Sequence, residues 1–277
     1  MANDLGVDFE DDGTPVALGI PRQIPVFPRE IAPGVFWFTG CLRITVNGKE
    51  LHNHNSCFLV MGSERSILVD TAPPFAREAM WPQLQKVLGG RKLDYIFPTH
   101  PEAPHMGNTG RLLRAFPEAL VVGDVRNYEL YLPGHTDRLR PMGAGEKIDL
   151  GGSTFVIVEG VVHDLVNTLW AYEEERKILF VSDGYPYTHD HNEGECAMTS
   201  NELAQLPRVE DTRVVIEGAL GWTRYVDAEL TIGKLRDLLA KYPTEIIAPT
   251  HGGVIMDAQA LTDVFETGLR QANGARA

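Results

Sequence analysis

Apolar positions recur with two different periods along the chain, and the change of period marks its parts. Val35-Phe36-Trp37-Phe38 and Leu42-Arg43-Ile44-Thr45-Val46 are short aromatic and β-branched runs on either side of Gly40, which predicts two strands and a turn. Asn47-Gly48 predicts a second turn, and Cys57–Met61 and Ser66–Asp70 form another strand pair broken at Gly62-Ser63. From Phe75 the spacing lengthens. Met80, Leu84, Val87 and Leu88 fall on one helical face that ends at Gly89-Gly90. Strand Tyr95–Phe97, a helix over roughly Gly107–Phe116 and strand Ala119–Val122 follow. Past Leu150 the alternation repeats, with strands at Thr154–Val158, Thr168–Tyr172 and Lys177–Val181. Val214-Val215-Ile216 fits either a short strand or a helix start. An amphipathic helix over Asp227–Lys241, strand Glu245–Ala248 and a helix over Ala258–Gln271 close the chain. Hairpins followed by two sets of strand–helix units predict an α/β fold, with two sheets face to face and helices outside. Residues 1–30 are acidic and then proline-rich, and predict an arm lying over the body; 31–277 read as a single domain with no linker or short repeat.

Charge and composition narrow the partners. The chain has 38 acidic against 25 basic residues and a net charge of −13, a surface that repels phosphate backbones, so no nucleic acid is expected. No apolar run reaches the ~20 residues of a bilayer span, and Met1-Ala2-Asn3-Asp4-Leu5 lacks the basic start of a secretory signal. Cys41, Cys57 and Cys196 are too few and too scattered for a disulfide framework or a cysteine-based zinc site. The expectation is a cytoplasmic homo-oligomer that acts on a small molecule, away from membranes.

The candidate chemistry sits at strand ends. In Thr99-His100-Pro101-Glu102-Ala103-Pro104-His105 two imidazoles and a carboxylate follow an apolar run directly. Val161-Val162-His163, Phe180–Asp183 and Ile246–His251 repeat the arrangement. One histidine after a strand is ordinarily a surface or hydrogen-bonded residue. Four metal-capable strand ends in one chain point to a metal centre, since loops at strand ends are where α/β folds place their sites. Around it, His52, His54, His189, Trp222 and Tyr225 are candidates for the substrate pocket, shaped by loops near 47–54, 185–200 and 219–226. His189-Asp190-His191 with Cys196 is a loosely spaced candidate for a further metal ion or for lining the pocket, in a stretch that reads as a mobile loop. Asp70 is expected to orient a ligand loop by hydrogen bonds.

These motifs, with Asn55–Val60, Val69-Asp70-Thr71, Leu179–Asp183 and Ala248–Gly252, resemble the metallo-β-lactamase superfamily over most of residues 34–260. The resemblance implies the four-layer αββα sandwich of that family. Its usual motif is H-x-H-x-D-H, and Glu102 in place of the second histidine is similar to the diiron branch of flavodiiron proteins; the flavodoxin module of those proteins is not expected here. Carried over residue by residue, the resemblance implies one site at His100, Glu102 and His163, a second at His105 and His251, and Asp183 bridging. Asp183 and His105 are the expected catalytic residues. One or two divalent ions are implied, iron or zinc, with manganese also possible, and the Glu102 carboxylate favours the harder ions. The sequence departs from the family at Pro104, which stands where an aspartate normally ligates the second ion and takes a proton. Three functions remain open. Hydrolysis of an ester, lactone or activated ether by metal-bound hydroxide is the leading expectation, ahead of diiron redox chemistry on O₂ or NO with an external electron donor. A non-catalytic subunit or sensor is the third.

Overall fold

The computed structural model describes residues 26–46, 48–192 and 194–274. The strands are β1 (Arg29–Ala32), β2 (Val35–Phe38), β3 (Cys41–Val46), β4 (Lys49–His54), β5 (Cys57–Met61), β6 (Ser66–Val69) and β7 (Tyr95–Phe97). They continue with β8 (Leu120–Gly123), β9 (Leu139–Pro141), β10 (Lys147–Asp149), β11 (Thr154–Glu159), β12 (Leu169–Glu173), β13 (Ile178–Phe180) and β14 (Ile246–Ala248). The helices are α1 (Arg77–Leu88), α2 (Ala103–Met106), α3 (Thr109–Ala115), α4 (Tyr128–Tyr131), α5 (Val209–Ala219), α6 (Ala228–Lys241) and α7 (Ala258–Gly274).

Two sheets result, a seven-stranded one in the order β1-β2-β5-β6-β7-β8-β9 and a five-stranded one in the order β10-β11-β12-β13-β14; β3 and β4 form a separate hairpin. Alternation along the strands explains why the sheets stack. Phe58, Val60, Ile67, Val69 and Phe97 of the first sheet meet Phe155, Ile157, Ile178, Phe180 and Ala248 of the second in one buried core. The intervening residues face outward. Leu59, Leu68, Ile96 and Val121 pack under α1, α3 and α4, while Val156, Val158, Leu179 and Ile247 pack under α5, α6 and α7. The architecture is therefore the four-layer αββα sandwich. Gly62 locks the layers at one edge, because a Cβ there would stand 2.0 Å from the Leu150 carbonyl oxygen.

Most expected elements lie where their periodicity placed them. The helix expected over about Gly107–Phe116 is α3, and a further short helix, α2, precedes it across Gly107 and Asn108. Val214–Ile216 lies inside α5, so the helical alternative holds. His163 does not end a strand: the β11–β12 ladder closes at the Glu159–Leu169 pair, and His163 lies in the loop beyond it. Of the expected arm, residues 1–25 lie outside the described residues, as does Asn47 of the expected turn, while Arg29 and Glu30 pair with β2. Among the described residues no helix is long and apolar enough to cross a membrane.

Candidate metal centre

Strands β6, β7, β13 and β14 run in parallel pairs, β6 with β7 and β13 with β14, so the carboxyl ends within each pair open on the same edge. Asp70 follows β6, His100 and Glu102 follow β7, Asp183 follows β13 and His251 follows β14. Two of these turns are conformationally costly. Asp70 has φ 57° and Ser182 φ 52°, left-handed values that a non-glycine residue holds only when its surroundings enforce them.

Asp70 is what enforces the first. Its Oδ1 accepts from the Thr99 amide at 2.8 Å and the Thr99 hydroxyl at 2.9 Å, and its Oδ2 accepts from the Thr250 hydroxyl at 2.7 Å. The same Oδ2 lies 2.8 Å from His105 Nδ1, which fixes that ring. Ser182 plays the matching part for His100, with Oγ 3.2 Å from His100 Nδ1 and 2.8 Å from the Thr99 hydroxyl. Both rings are thus held by Nδ1 and present Nε2 to the interior. Asp70 does what the sequence led us to expect; Thr99, Ser182 and Thr250 carry no periodicity that would have singled them out.

The presented atoms converge on carboxylates. His105 Nε2 and His251 Nε2 each lie 3.3 Å from Asp183 Oδ1, the former without hydrogen-bond alignment, and His100 Nε2 lies 3.7 Å from Glu102 Oε2. Ligand atoms of His100, His105 and Asp183 fall within 4.8 Å of one another, and so do those of His100, Glu102 and Asp164. His100 and His105 are fully buried, and among the described residues their Nε2 atoms have no hydrogen-bond partner. An orphaned buried nitrogen costs about 1–3 kcal/mol. Two of them facing carboxylates fit a divalent cation, which satisfies nitrogen and oxygen at once.

The electrostatics agree. Burial alone drives His105 down, but the charges of Asp70 and Asp183 outweigh it and lift the imidazole to about 10. Burial likewise favours a neutral Asp183, yet His105 and then His251 and His100 hold its carboxyl well below the usual range. Contact with His100 holds Glu102 below its ordinary value. Asp164 is raised, by burial first and then by the nearby Glu102 and Asp183 charges. The pocket attracts a cation, whether a proton or a metal ion.

Not every expected residue reaches this centre. His163 belongs to neither ligand group; its ring lies 5.6 Å from that of Trp222, and it lines a cavity of about 450 Å³ with Val161, Lys234, Asp237 and Lys241. Its neighbour Asp164, which sequence reasoning passed over, falls instead in the group with His100 and Glu102. Pro104 sits in the first turn of α2, where its missing N–H breaks no helical bond. Tyr225 is 79% exposed, and Trp222 packs partly buried beside the helical layer. His52, His54 and His189 do meet. His54 stacks on His189 at 4.7 Å, His52 and His189 exchange both backbone hydrogen bonds at 3.0 Å, and the loop expected to be mobile is anchored there by this bridge. This group adjoins the metal-ligand cluster through His251 Nδ1, which donates to the His54 carbonyl at 3.1 Å.

Comparison with known proteins bears on the chemistry. The reduced coenzyme F420 oxidase of Methanocaldococcus jannaschii is 27% identical over 168 residues, 56% of this chain and 40% of that protein. This chain therefore spans about two fifths of that relative. Rubredoxin oxygen:oxidoreductase from Desulfovibrio gigas superposes with a TM-score of 0.69 at 18% identity, covering 88% of this chain and 61% of that one. The flavodiiron protein of Giardia intestinalis gives 0.69 at 15% identity, covering 91% and 60%. The leading expectation of a metal-dependent hydrolase, and zinc as a candidate ion, are corrected by these findings. The curated relative is named as an oxidase, and a donor set in which the carboxylates of Asp183 and the more exposed Glu102 stand beside buried imidazoles suits iron better than zinc. The profile of the Metallo-beta-lactamase superfamily matches residues 52–251, well over half of the sequence, and with this αββα sandwich the chain belongs to that superfamily.

Proposed function

We propose that this chain is the diiron core of an oxidoreductase that delivers electrons from an external donor to O₂ or NO. The observation that carries the reading is the pair of buried, unpartnered Nε2 atoms of His100 and His105, turned onto Asp183 with Glu102 beside them. Iron bound there would supply one-electron redox steps and open positions for a diatomic gas. The named oxidase among the relatives supports the same chemistry.

The protein's own groups divide the work. Asp70, Thr99 and Ser182 hold the two rings so that only Nε2 is offered. Asp183 stands among three imidazoles and is the group suited to bridge two ions. His105 and His251 complete the second site, which Pro104 leaves with one carboxylate fewer than the family pattern. Glu102, its side chain 46% exposed, sits where the centre opens to solvent and can accept or pass a proton there.

Anaerobic expression with added iron, followed by whole-protein metal analysis and visible spectroscopy, tests the reading. Two irons per chain and an absorption that changes on exposure to O₂ or NO are the expected result. Zinc retained in place of iron, with esterase or lactonase turnover and no response to either gas, would overturn it.

A further inference from the structure

We propose that Asp164, and not His163, completes the first metal site with His100 and Glu102, making it a site of one imidazole and two carboxylates that prefers iron or manganese to zinc. The inference rests on reading the centre as a metal site, and concerns which residues build it.

Three independent observations carry it. The ligand atoms of His100, Glu102 and Asp164 lie within 4.8 Å of one another, close to the roughly 4.4 Å that two bonds of about 2.2 Å span across a single ion, so a small side-chain adjustment closes the site. The imidazole of this trio is fully buried, and its Nε2 has no hydrogen-bond partner among the described residues while it faces Glu102 at 3.7 Å. Carboxylates of Glu102, Asp164 and Asp183 gather about that ring, an arrangement that like-charge repulsion opposes unless a cation lies between them.

The fold shows why Asp164 is the one delivered. The β11–β12 ladder closes at Glu159–Leu169, and the Leu169 amide donates to the Thr99 carbonyl at 2.9 Å. That bond pins the end of the 160–168 loop beside the backbone of His100. Within the loop, neighbouring side chains diverge. Asp164 comes to His100 and Glu102, while His163 lies against Trp222 on the cavity shared with Lys234 and Asp237. Replacing an imidazole by a carboxylate hardens the donor set, which favours iron and manganese and disfavours zinc.

The test compares Asp164→Ala, Asp164→Asn and His163→Ala in the full chain, loaded anaerobically with Fe(II) and, separately, with Co(II) as a spectroscopic probe. Wild type and His163→Ala are expected to hold the same number of ions with affinities within about twofold. Both Asp164 variants are expected to lose one ion, or bind it at least about tenfold more weakly, since even partners outside the ligand set are worth 10–100-fold. Melting curves of the metal-free proteins show whether each variant folds, and the isosteric Asp164→Asn keeps the comparison valid if the alanine variant does not. Loss of the ion from His163→Ala, alone or together with the Asp164 variants, would overturn the assignment. The expected Co(II) pattern in a protein that never responds to O₂ or NO would leave the assignment standing and remove the oxidoreductase reading.

Discussion

Two groups of histidines lie next to each other in opposite surroundings. His100, His105 and His251 stand among Asp70, Asp183 and Glu102. His52, His54, His189 and His191 lie ring against ring at the end of the β3–β4 hairpin, and the acid in their loop, Asp190, is exposed. Burial is similar in the deepest members, His105 at 0%, His54 at 1% and His189 at 8%. The outcome is not. Burial lowers His54 to about 4 despite its contact with the Cys196 carbonyl, and lowers His189 to about 2, with neighbouring imidazoles adding to the effect. In His105 two buried carboxylates reverse the same burial penalty and lift the ring to about 10. Desolvation by itself makes a histidine neutral, and buried carboxylates make it seek a cation. His105, in the six-residue stretch from His100, shows one behaviour, and His54 and His189, from a hairpin and a loop, show the other.

The largest effect should come from removing the carboxylate that sets the groups apart. Asp70→Asn leaves His105 without its anchor and Thr99 and Thr250 with a poorer acceptor. We expect a loss of about 3 kcal/mol in denaturant unfolding, the order found when a buried pair loses one partner, and a 10–100-fold fall in metal affinity. Unchanged metal affinity would show that Asp70 does not set the ring.

The second group yields a prediction about pH. His54 titrates near its ordinary 6.5 when unfolded but at about 4 when folded, so between those values the unfolded state binds more protons. Stability is therefore full above pH 6.5 and falls as pH drops through this window, by about 3 kcal/mol at most for this residue. His54→Gln should lose about that much less between pH 7.5 and 4.5 than wild type does, in unfolding curves measured at both. An identical pH slope in the two proteins would mean that His54 is not held neutral. The smallest effect belongs to the rim: His52→Ala should change stability by about 0.5 kcal/mol or less. It should also move the titrations of His54 and His189 upward, because the His52 charge lowers both; histidine NMR titration reads this directly.

How much was legible in advance differs between layers and site. Strands such as Cys57–Met61 and Ile178–Phe180 are fully apolar runs buried on both faces, and helices such as α6 carry a clear apolar stripe, so each announced itself. Strand β4, Lys49–His54, did not, because polar residues fill it and its burial comes from tertiary contacts such as its hairpin partner, the His189 bridge and Trp37 against His54. His100, Glu102, His105, Asp183 and His251 were legible because unusual side chains followed recognisable strands. Asp164 was not, since nothing in Val161-Val162-His163-Asp164 distinguishes the neighbour that reaches the centre from the one that turns away.

By itself the sequence determined the sandwich, the superfamily and the concentration of ligand types at strand ends, because these depend on periodicity and on short local motifs. Only the tertiary structure decided which ends converge and which residue of the 160–168 loop arrives. It also decided which histidines are buried with acids and which without. Those outcomes depend on distances between residues far apart in the chain, and on the local field each buried ring meets once folding has removed the water around it.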